Sequence, residues 1–428
     1  MELMNARGVK DFPPEEKIAR QKLTDSLRRV FELYGFSPLE TPMIERYDVL
    51  SAKYAGGAEI LKETFKFKDQ GERDLCLRYD LTVPFARFVG MNPTMKMPFK
   101  RYAMGNVFRD GPIKSGRMRE FWQCDVDIVG TTSMLADAQC VQIAQRVFSE
   151  LGLDVNIEVN SRKMLDGIIK QAGIPEDKVT DVILEVDKLR KIGATEVKKN
   201  IQALDIDSSA IEKLMKIISI QGTNDEKIDA LKTYLTESTS LEGLKEISEM
   251  LSYLDARNIT FNLSLARGLS YYTGTVFEVF MKDEKIFSST VAAGGRYDNM
   301  IGEFLGSKNK YPAVGISFGI EPIMTVLSSL KKSDMTTKTV TKAYIIPIQT
   351  TKECIKIAEE LRKSGVNTDM DLSGRGISKN LDYANVLKIP FVLFVGEDEL
   401  KKKKLKLKDM NSGKEEFLTI KEVCKKLK

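Results

Sequence analysis

Histidine is absent from the 428 residues of this chain. That excludes a Ser-His-Asp relay, imidazole metal ligands and a histidine pH switch. Catalysis must then come from arginine, carboxylates, tyrosine, backbone groups or a bound ion. Cysteine is scarce and scattered. Cys76, Cys124, Cys140, Cys354 and Cys424 form no CxxC pair, and their odd number suits a reducing compartment with neither a disulfide framework nor a zinc site. No apolar run approaches the ~20 residues of a membrane span. The opening MELMNARGVKDFPPEE lacks the apolar stretch of a secretory signal. These absences point to a cytoplasmic protein with no membrane partner.

What is present describes a globular chain of two or three domains, with 42% hydrophobic and 30% charged residues. The net charge of +5 is uneven: residues 340–428 carry 19 Lys and Arg against 13 Asp and Glu. This basic excess fits either a polyanionic partner or a solvated lysine-rich surface.

Apolar spacing gives the expected elements. A helix opens at Pro13-Pro14 and runs to about Tyr34, with Gly35 as its C-terminal cap. Residues 36–45, which include Pro38 and Pro42, read as one extended edge or interface segment. Strands are expected over 74–78, 100–109, 155–159, 261–265 and 275–280, and helices over 81–91, 133–152 and after Gly319. Residues 163–258 are rich in Lys, Glu, Leu and Ile at helical spacing and read as a helical insertion. Residues 331–342 form a polar linker. Beyond it, strand and helix alternate over 343–428, the pattern of a small α/β domain.

Four segments carry candidate chemistry. Residues 105–130, GNVFRDGPIKSGRMREFWQCDVDIVG, read as a hairpin. In its second strand Phe121, Gln123, Asp125 and Asp127 alternate with Trp122, Cys124, Val126 and Ile128, so polar side chains share one face. Arg109, Arg117 and Arg119 flank its loop, and a planar guanidinium matches phosphate or carboxylate oxygens. Cations beside two carboxylates suit a phosphate-bearing substrate that also carries a positive group. LRYDLT places Asp80 and Thr82 just after a strand, where Asp80 is also a natural helix cap. LARGLSYYTG sets Arg267 just before Gly268, and Tyr271 and Tyr272 between Gly268 and Gly274. VAAGGRYD and PAVGISFGIE supply small residues that permit close approach; neither has Rossmann or P-loop spacing.

In this order the segments resemble class II aminoacyl-tRNA synthetases, and specifically the histidyl-tRNA synthetase family. PLETPMIE is similar to the first class motif, VFRDGPIKSGRMREFWQCDVDIVG to the second and PAVGISFGIEPI to the third. LARGLSYYTG and AAGGRYD resemble segments peculiar to the histidine enzymes. LRYDLTVPFAR resembles their archaeal and eukaryotic branch, and ISKNLDYANVLKIPFVLFVGEDE their anticodon-binding domain.

The resemblance implies an α+β fold: a class II antiparallel sheet flanked by helices, with a helical insertion and a C-terminal α/β anticodon-binding domain. The catalytic domain would occupy residues 1–162 and 259–330, the insertion 163–258 and the anticodon-binding domain 343–428. It implies a homodimer that joins L-histidine to its tRNA through histidyl-adenylate, with ATP as substrate and Mg²⁺ held mainly by ATP. By matching position, Arg109 would grip the α-phosphate and the histidine carboxylate, and Arg267 would stabilise charge at the same centre. Asp80, Thr82 and Gln123 would hold the amino end, Asp127 and Tyr272 the imidazole, with Tyr271 alongside.

The third motif departs from the family pattern, since Pro322 stands where an arginine usually grips the γ-phosphate. Either a loop cation such as Lys114 or Arg117 takes that phosphate, or activation is impaired. Two competing readings are a catalytically silent paralogue, like the regulatory subunit of ATP phosphoribosyltransferase, and a general RNA-binding module using the lysines at 401–404, 406 and 408.

Overall fold

The computed structural model describes residues 2–54, 61–113, 118–267, 271–306, 311–332 and 337–428. Two compact units divide the chain. One takes residues up to 10 and 23–330, the other 11–22 and 331–428.

The first unit is built on an eight-stranded sheet. Its spatial order is Ser37–Pro38, Phe99–Phe108, Glu120–Val129, Ala313–Gly319, Ala292–Arg296, Thr275–Met281, Val155–Ser161 and Ile259–Phe261. The two outermost pairings are parallel and the rest antiparallel. Alternation sorts the faces. Cys124, Val126 and Ile128 enter a core with Phe31, Phe148, Val159 and Phe318, covered by residues 23–33 of the helix Pro14–Leu33 and by the helix Met134–Glu150. Gln123, Asp125 and Asp127 face the other way.

The helical segment comprises Arg162–Gln171, Val179–Val186, Leu189–Gln202, Ser208–Ile218, Asn224–Tyr234 and Ser238–Ser252. Its apolar side chains, such as Val182, Val186, Leu214 and Ile247, join the same core as the sheet residues Ile157 and Phe277. Leu184, on the outward side, is exposed.

Two sequence expectations are corrected. The segment 36–45 is not one extended element. Ser37–Pro38 pairs with the large sheet, whereas Ile44–Arg46 joins a separate three-stranded sheet with Asp74–Leu77 and Lys66–Lys68. The strand expected over 261–265 is Ile259–Phe261 instead. It stops because the Asn262 side chain accepts hydrogen bonds from Ser264 N at 3.0 Å and Ser264 Oγ at 2.8 Å, an Asx turn.

The second unit carries a five-stranded sheet in the order Thr368–Met370, Ala343–Pro347, Phe391–Val395, Leu405–Asp409 and Glu415–Leu418. The first three strands are parallel, and the last two add an antiparallel hairpin. The basic run starts at the end of the helix Glu397–Lys401 and continues into the strand Leu405–Asp409. Leu405–Asp409 lies inside the sheet, where Lys406 pairs with Glu415 at 2.6 Å.

Candidate active site

A cavity of ≈ 710 Å³ opens on the polar face of the large sheet. Eight residues expected from the sequence line it: Asp80, Thr82, Arg109, Gln123, Asp127, Arg267, Tyr271 and Tyr272. They come from three chain segments that a single sheet face and its flanking loops bring together. Arg117 and Lys114, the expected loop cations, lie outside the described residues.

Arg109 follows the strand Phe99–Phe108. Its guanidinium sits 4.2 Å from the Tyr79 ring centroid and 4.9 Å from that of Phe121, and its Nε donates to Tyr79 O at 3.3 Å. Two aromatic faces thus hold a cation that lines the cavity. Arg119, grouped with it by sequence, is engaged elsewhere. It pairs with Asp110 at 2.9 Å and does not line the cavity.

Arg267 is the second cation. Its Nε lies 3.5 Å from Glu278 Oε1, and its Nη1 is buried with no hydrogen-bond partner among the described residues. Burial works against its charge, but Tyr272, Glu278 and Tyr271 outweigh it, so its pKa is raised. Tyr271 and Tyr272 pack with ring centroids 4.5 Å apart and hydroxyls at 3.4 Å. Burial pushes both phenols up, so they remain hydrogen-bond donors at neutral pH.

The carboxylates sit at the floor. Asp80 Oδ1 accepts from Thr82 N at 3.1 Å and Val83 N at 2.8 Å, so it caps the helix Thr82–Met91 while it lines the cavity. Asp127 forms an ion pair with Arg101, Nη2 to Oδ2 at 2.7 Å, and accepts a hydrogen bond from Tyr297. Gln123 Nε2 donates to Ser317 Oγ at 2.9 Å.

The small residues explain how the floor closes. A Cβ at Gly315 would come within 2.1 Å of Asp127 Oδ1, so glycine is required there for Asp127 to keep its place. Glu321 accepts from Trp122 N at 3.2 Å, and Pro322 stands in the first turn of the helix Ile320–Ser329, where a missing N–H costs nothing.

Sequence reasoning gave no site role to Lys191, Glu278, Tyr297 or Ser317, and it put Asp125 on the right face without a role of its own. Tyr297 and Ser317 lay inside segments already singled out. Lys191 carried no signal, since it comes from the helical segment.

The sheet, its cavity and the attached α/β unit together define a class II aminoacyl-tRNA synthetase. A family model described as "Histidyl-tRNA synthetase" matches residues 8–323, and one described as "Anticodon binding domain" matches 342–428. The chain belongs to the histidyl-tRNA synthetase family.

"Histidine--tRNA ligase 1" of Bacillus cereus (strain ZK / E33L) is 44% identical over 422 residues, 97% of each chain. "Histidine--tRNA ligase" of Clostridium tetani (strain Massachusetts / E88) is 37% identical over 98% of this chain and 97% of its own. Among solved structures, histidyl-tRNA synthetase from Nostoc sp. PCC 7120 superposes with a TM-score of 0.88 at 30% identity, covering 100% of this chain and 99% of that one.

Proposed function

We infer that this chain is a histidine–tRNA ligase. It activates L-histidine with ATP and passes the histidyl group to the terminal ribose of its tRNA, releasing pyrophosphate and then AMP. The observation that carries the reading is the single cavity that gathers Arg109, Arg267, the Tyr271–Tyr272 pair and the carboxylates Asp80 and Asp127.

The histidine carboxylate is itself the nucleophile, so activation needs alignment and cations where charge develops at phosphorus, not a general base. Arg109, held between Tyr79 and Phe121, serves the α-phosphate and the substrate carboxylate. Arg267 acts at the same centre, and Arg117 serves ATP. Asp80, Thr82 and Gln123 take the amino end. Asp127 and Tyr272 partner the two imidazole nitrogens, with Tyr271 alongside. An apolar competitor would strand those groups, a penalty of about 10⁴-fold or more in comparable polar pockets.

Mg²⁺ enters with ATP. Among the described residues no cluster of three or more His, Cys, Asp or Glu is set to hold a metal. The ion would be held mainly by the ATP phosphates, and the cavity carboxylates Glu278 and Glu321 would be the protein groups available to it. The ion would offset charge on the phosphates.

The basic second unit takes the anticodon end of tRNA. Its loop over 373–379 is shaped by Asp371, which accepts from Ser373 N at 2.9 Å and Arg375 N at 2.7 Å. The chain works as a homodimer in the cytoplasm; among the described residues no helix is long and apolar enough to cross a membrane. The likeness of residues 77–87 to the archaeal and eukaryotic branch supports that branch's version of the amino-acid site in this chain.

Histidine-dependent ATP–pyrophosphate exchange tests the reading. Exchange with histidine alone among the amino acids is expected. Its absence from folded, pure protein leaves the silent paralogue, for which Pro322 is the favouring observation. A salt-dependent preference for one tRNA separates a ligase from a general RNA binder.

A further inference from the structure

Asp125 is the cavity carboxyl left without a role. It lies on Glu120–Val129 between Gln123 and Asp127, two residues from each, so the three side chains share the cavity face. It is 3% exposed, and its Oδ1 has no hydrogen-bond partner among the described residues. Native folds rarely leave a buried acceptor unmet.

The surroundings specify what would meet it. Across the sheet Asp125 is in register with Ser317 on one side and Ala103 on the other. The Ser317 hydroxyl accepts from Gln123 Nε2 and favours the ionised form of Asp125, which ties Asp125 to the amino end of the cavity. Four charged groups face it: Arg101 from Phe99–Phe108, Arg78 just beyond Asp74–Leu77, Asp80 from the loop that follows, and Asp127 on its own strand. Arg101 pairs with Asp127, and Arg78 donates to the backbone carbonyls of Asn106 and Thr41 at 2.7 and 2.8 Å. Two adjacent buried carboxyls therefore share one nearby arginine, which is already in contact with the other carboxyl.

We propose, resting on the histidine–tRNA ligase reading, that Asp125 is a specificity-determining carboxylate of the amino-acid subsite: its Oδ1 accepts a hydrogen bond from the substrate α-ammonium group, and the carboxyl releases its proton as that cation arrives. The substrate stays –NH₃⁺, and the Asp125 proton leaves to solvent.

The charge balance supports this. Burial lifts the Asp125 carboxyl to about 7 against the pull of Arg101, with Asp127 and Asp80 pushing the same way. Near neutral pH the empty site is therefore partly protonated. An ammonium at hydrogen-bond distance favours the ionised form and drives the proton off.

Calorimetry of histidine binding to the full chain at pH 7, in phosphate and in Tris, reads the proton directly. Wild type should show an enthalpy that depends on the buffer. Asp125→Asn should lose the Asp125 part of that dependence and bind histidine about 10- to 100-fold more weakly. Imidazole-lactate, with a hydroxyl in place of the ammonium, should bind both proteins within about threefold. Asp125→Glu, a second variant with a displaced carboxyl, should keep proton release while binding histidine more weakly. Equal proton release by wild type and Asp125→Asn, or an equal loss of affinity for histidine and imidazole-lactate, overturns the proposal. The same wild-type preparation is assayed for histidine-dependent exchange. Exchange without Asp125-linked proton release defeats the proposal alone, whereas no exchange defeats the reading beneath it.

Discussion

Arg101 and Asp127 are cross-strand partners in register, and their side chains meet at 2.7 Å with relative exposures of 0% and 4%. Arg101 also donates to Leu81 O at 3.1 Å and lies 4.5 Å over the Phe85 ring. Tyr297 reaches the other Asp127 oxygen from the far side of the floor. The carboxylate assigned to the imidazole is thus oriented by residues from two other elements before any substrate arrives.

Arg101→Gln should therefore act as more than a local change. Removing one member of a buried pair leaves the other charge uncompensated, at a cost of about 3–5 kcal/mol. Chemical denaturation should show that loss. Replacing both residues, as in Arg101→Gln with Asp127→Asn, should recover a large part of it. In the exchange assay the single variant should raise KM for histidine more than KM for ATP. An equal effect on both would remove Arg101 from the positioning role.

Gly315→Ala tests the same carboxylate from another direction. The added methyl would lie 2.1 Å from Asp127 Oδ1 and 2.8 Å from Val126 O, so the side chain or the strand must shift. Overpacking of this kind costs about 1–3 kcal/mol. A displaced Asp127 should raise KM for histidine about tenfold or more. Gly376→Ala is the control, since a Cβ there meets nothing within 4 Å. Normal histidine kinetics in Gly315→Ala would show that Asp127 tolerates displacement.

Local pattern made much of this site legible. Period-two alternation put Gln123, Asp125 and Asp127 on one face, and the structure places all three in the cavity. Asp80 could be read as a cap from its position before a helix, and it does cap. Long-range facts were not legible. Nothing local tells that Arg101 faces Asp127, because strand register is set by the whole sheet. Asn262 ended a strand through a side-chain bond to Ser264 that apolar periodicity does not register. The loss of Arg119 to Asp110 depends on how the hairpin turns, which its composition leaves open.

Asp125 has a consequence for stability as well as binding. Its folded carboxyl sits at about 7, above the ordinary value of 3.8. The native state then holds a proton that the unfolded chain has lost, so the protonated form's stabilisation is complete below about pH 4 and disappears as pH rises through 7. Asp125→Asn does not titrate. It should gain on the order of 2–4 kcal/mol over wild type at pH 8 and little at pH 4. Tm measured across that range checks the sign. A constant difference would mean that Asp125 is ionised throughout.

Lys191 bears on the departure at Pro322. Among the described residues the cations lining the cavity are Arg109, Lys191 and Arg267. Arg267 is beside Glu278, and Arg109 is committed to the centre between Tyr79 and Phe121. Lys191 is exposed and reaches the cavity from the helical segment. Its neighbour Arg190 anchors that turn, bonding Glu158 at 2.9 Å and Glu284 at 2.5 Å and lying 3.8 Å over the Phe280 ring. Gly193, at φ 79°, breaks the helix just beyond. A lysine anchored at its base, whose side chain makes no hydrogen bond or ion pair among the described residues, can follow a triphosphate if the third motif does not grip it. Lys191→Ala should raise KM for ATP about tenfold in the exchange assay, with KM for histidine unchanged, and Lys191→Arg should retain binding. If KM for ATP holds and only transfer to tRNA slows, Lys191 faces the acceptor end, and the γ-phosphate falls to Arg117, for which Arg117→Ala is the matching test.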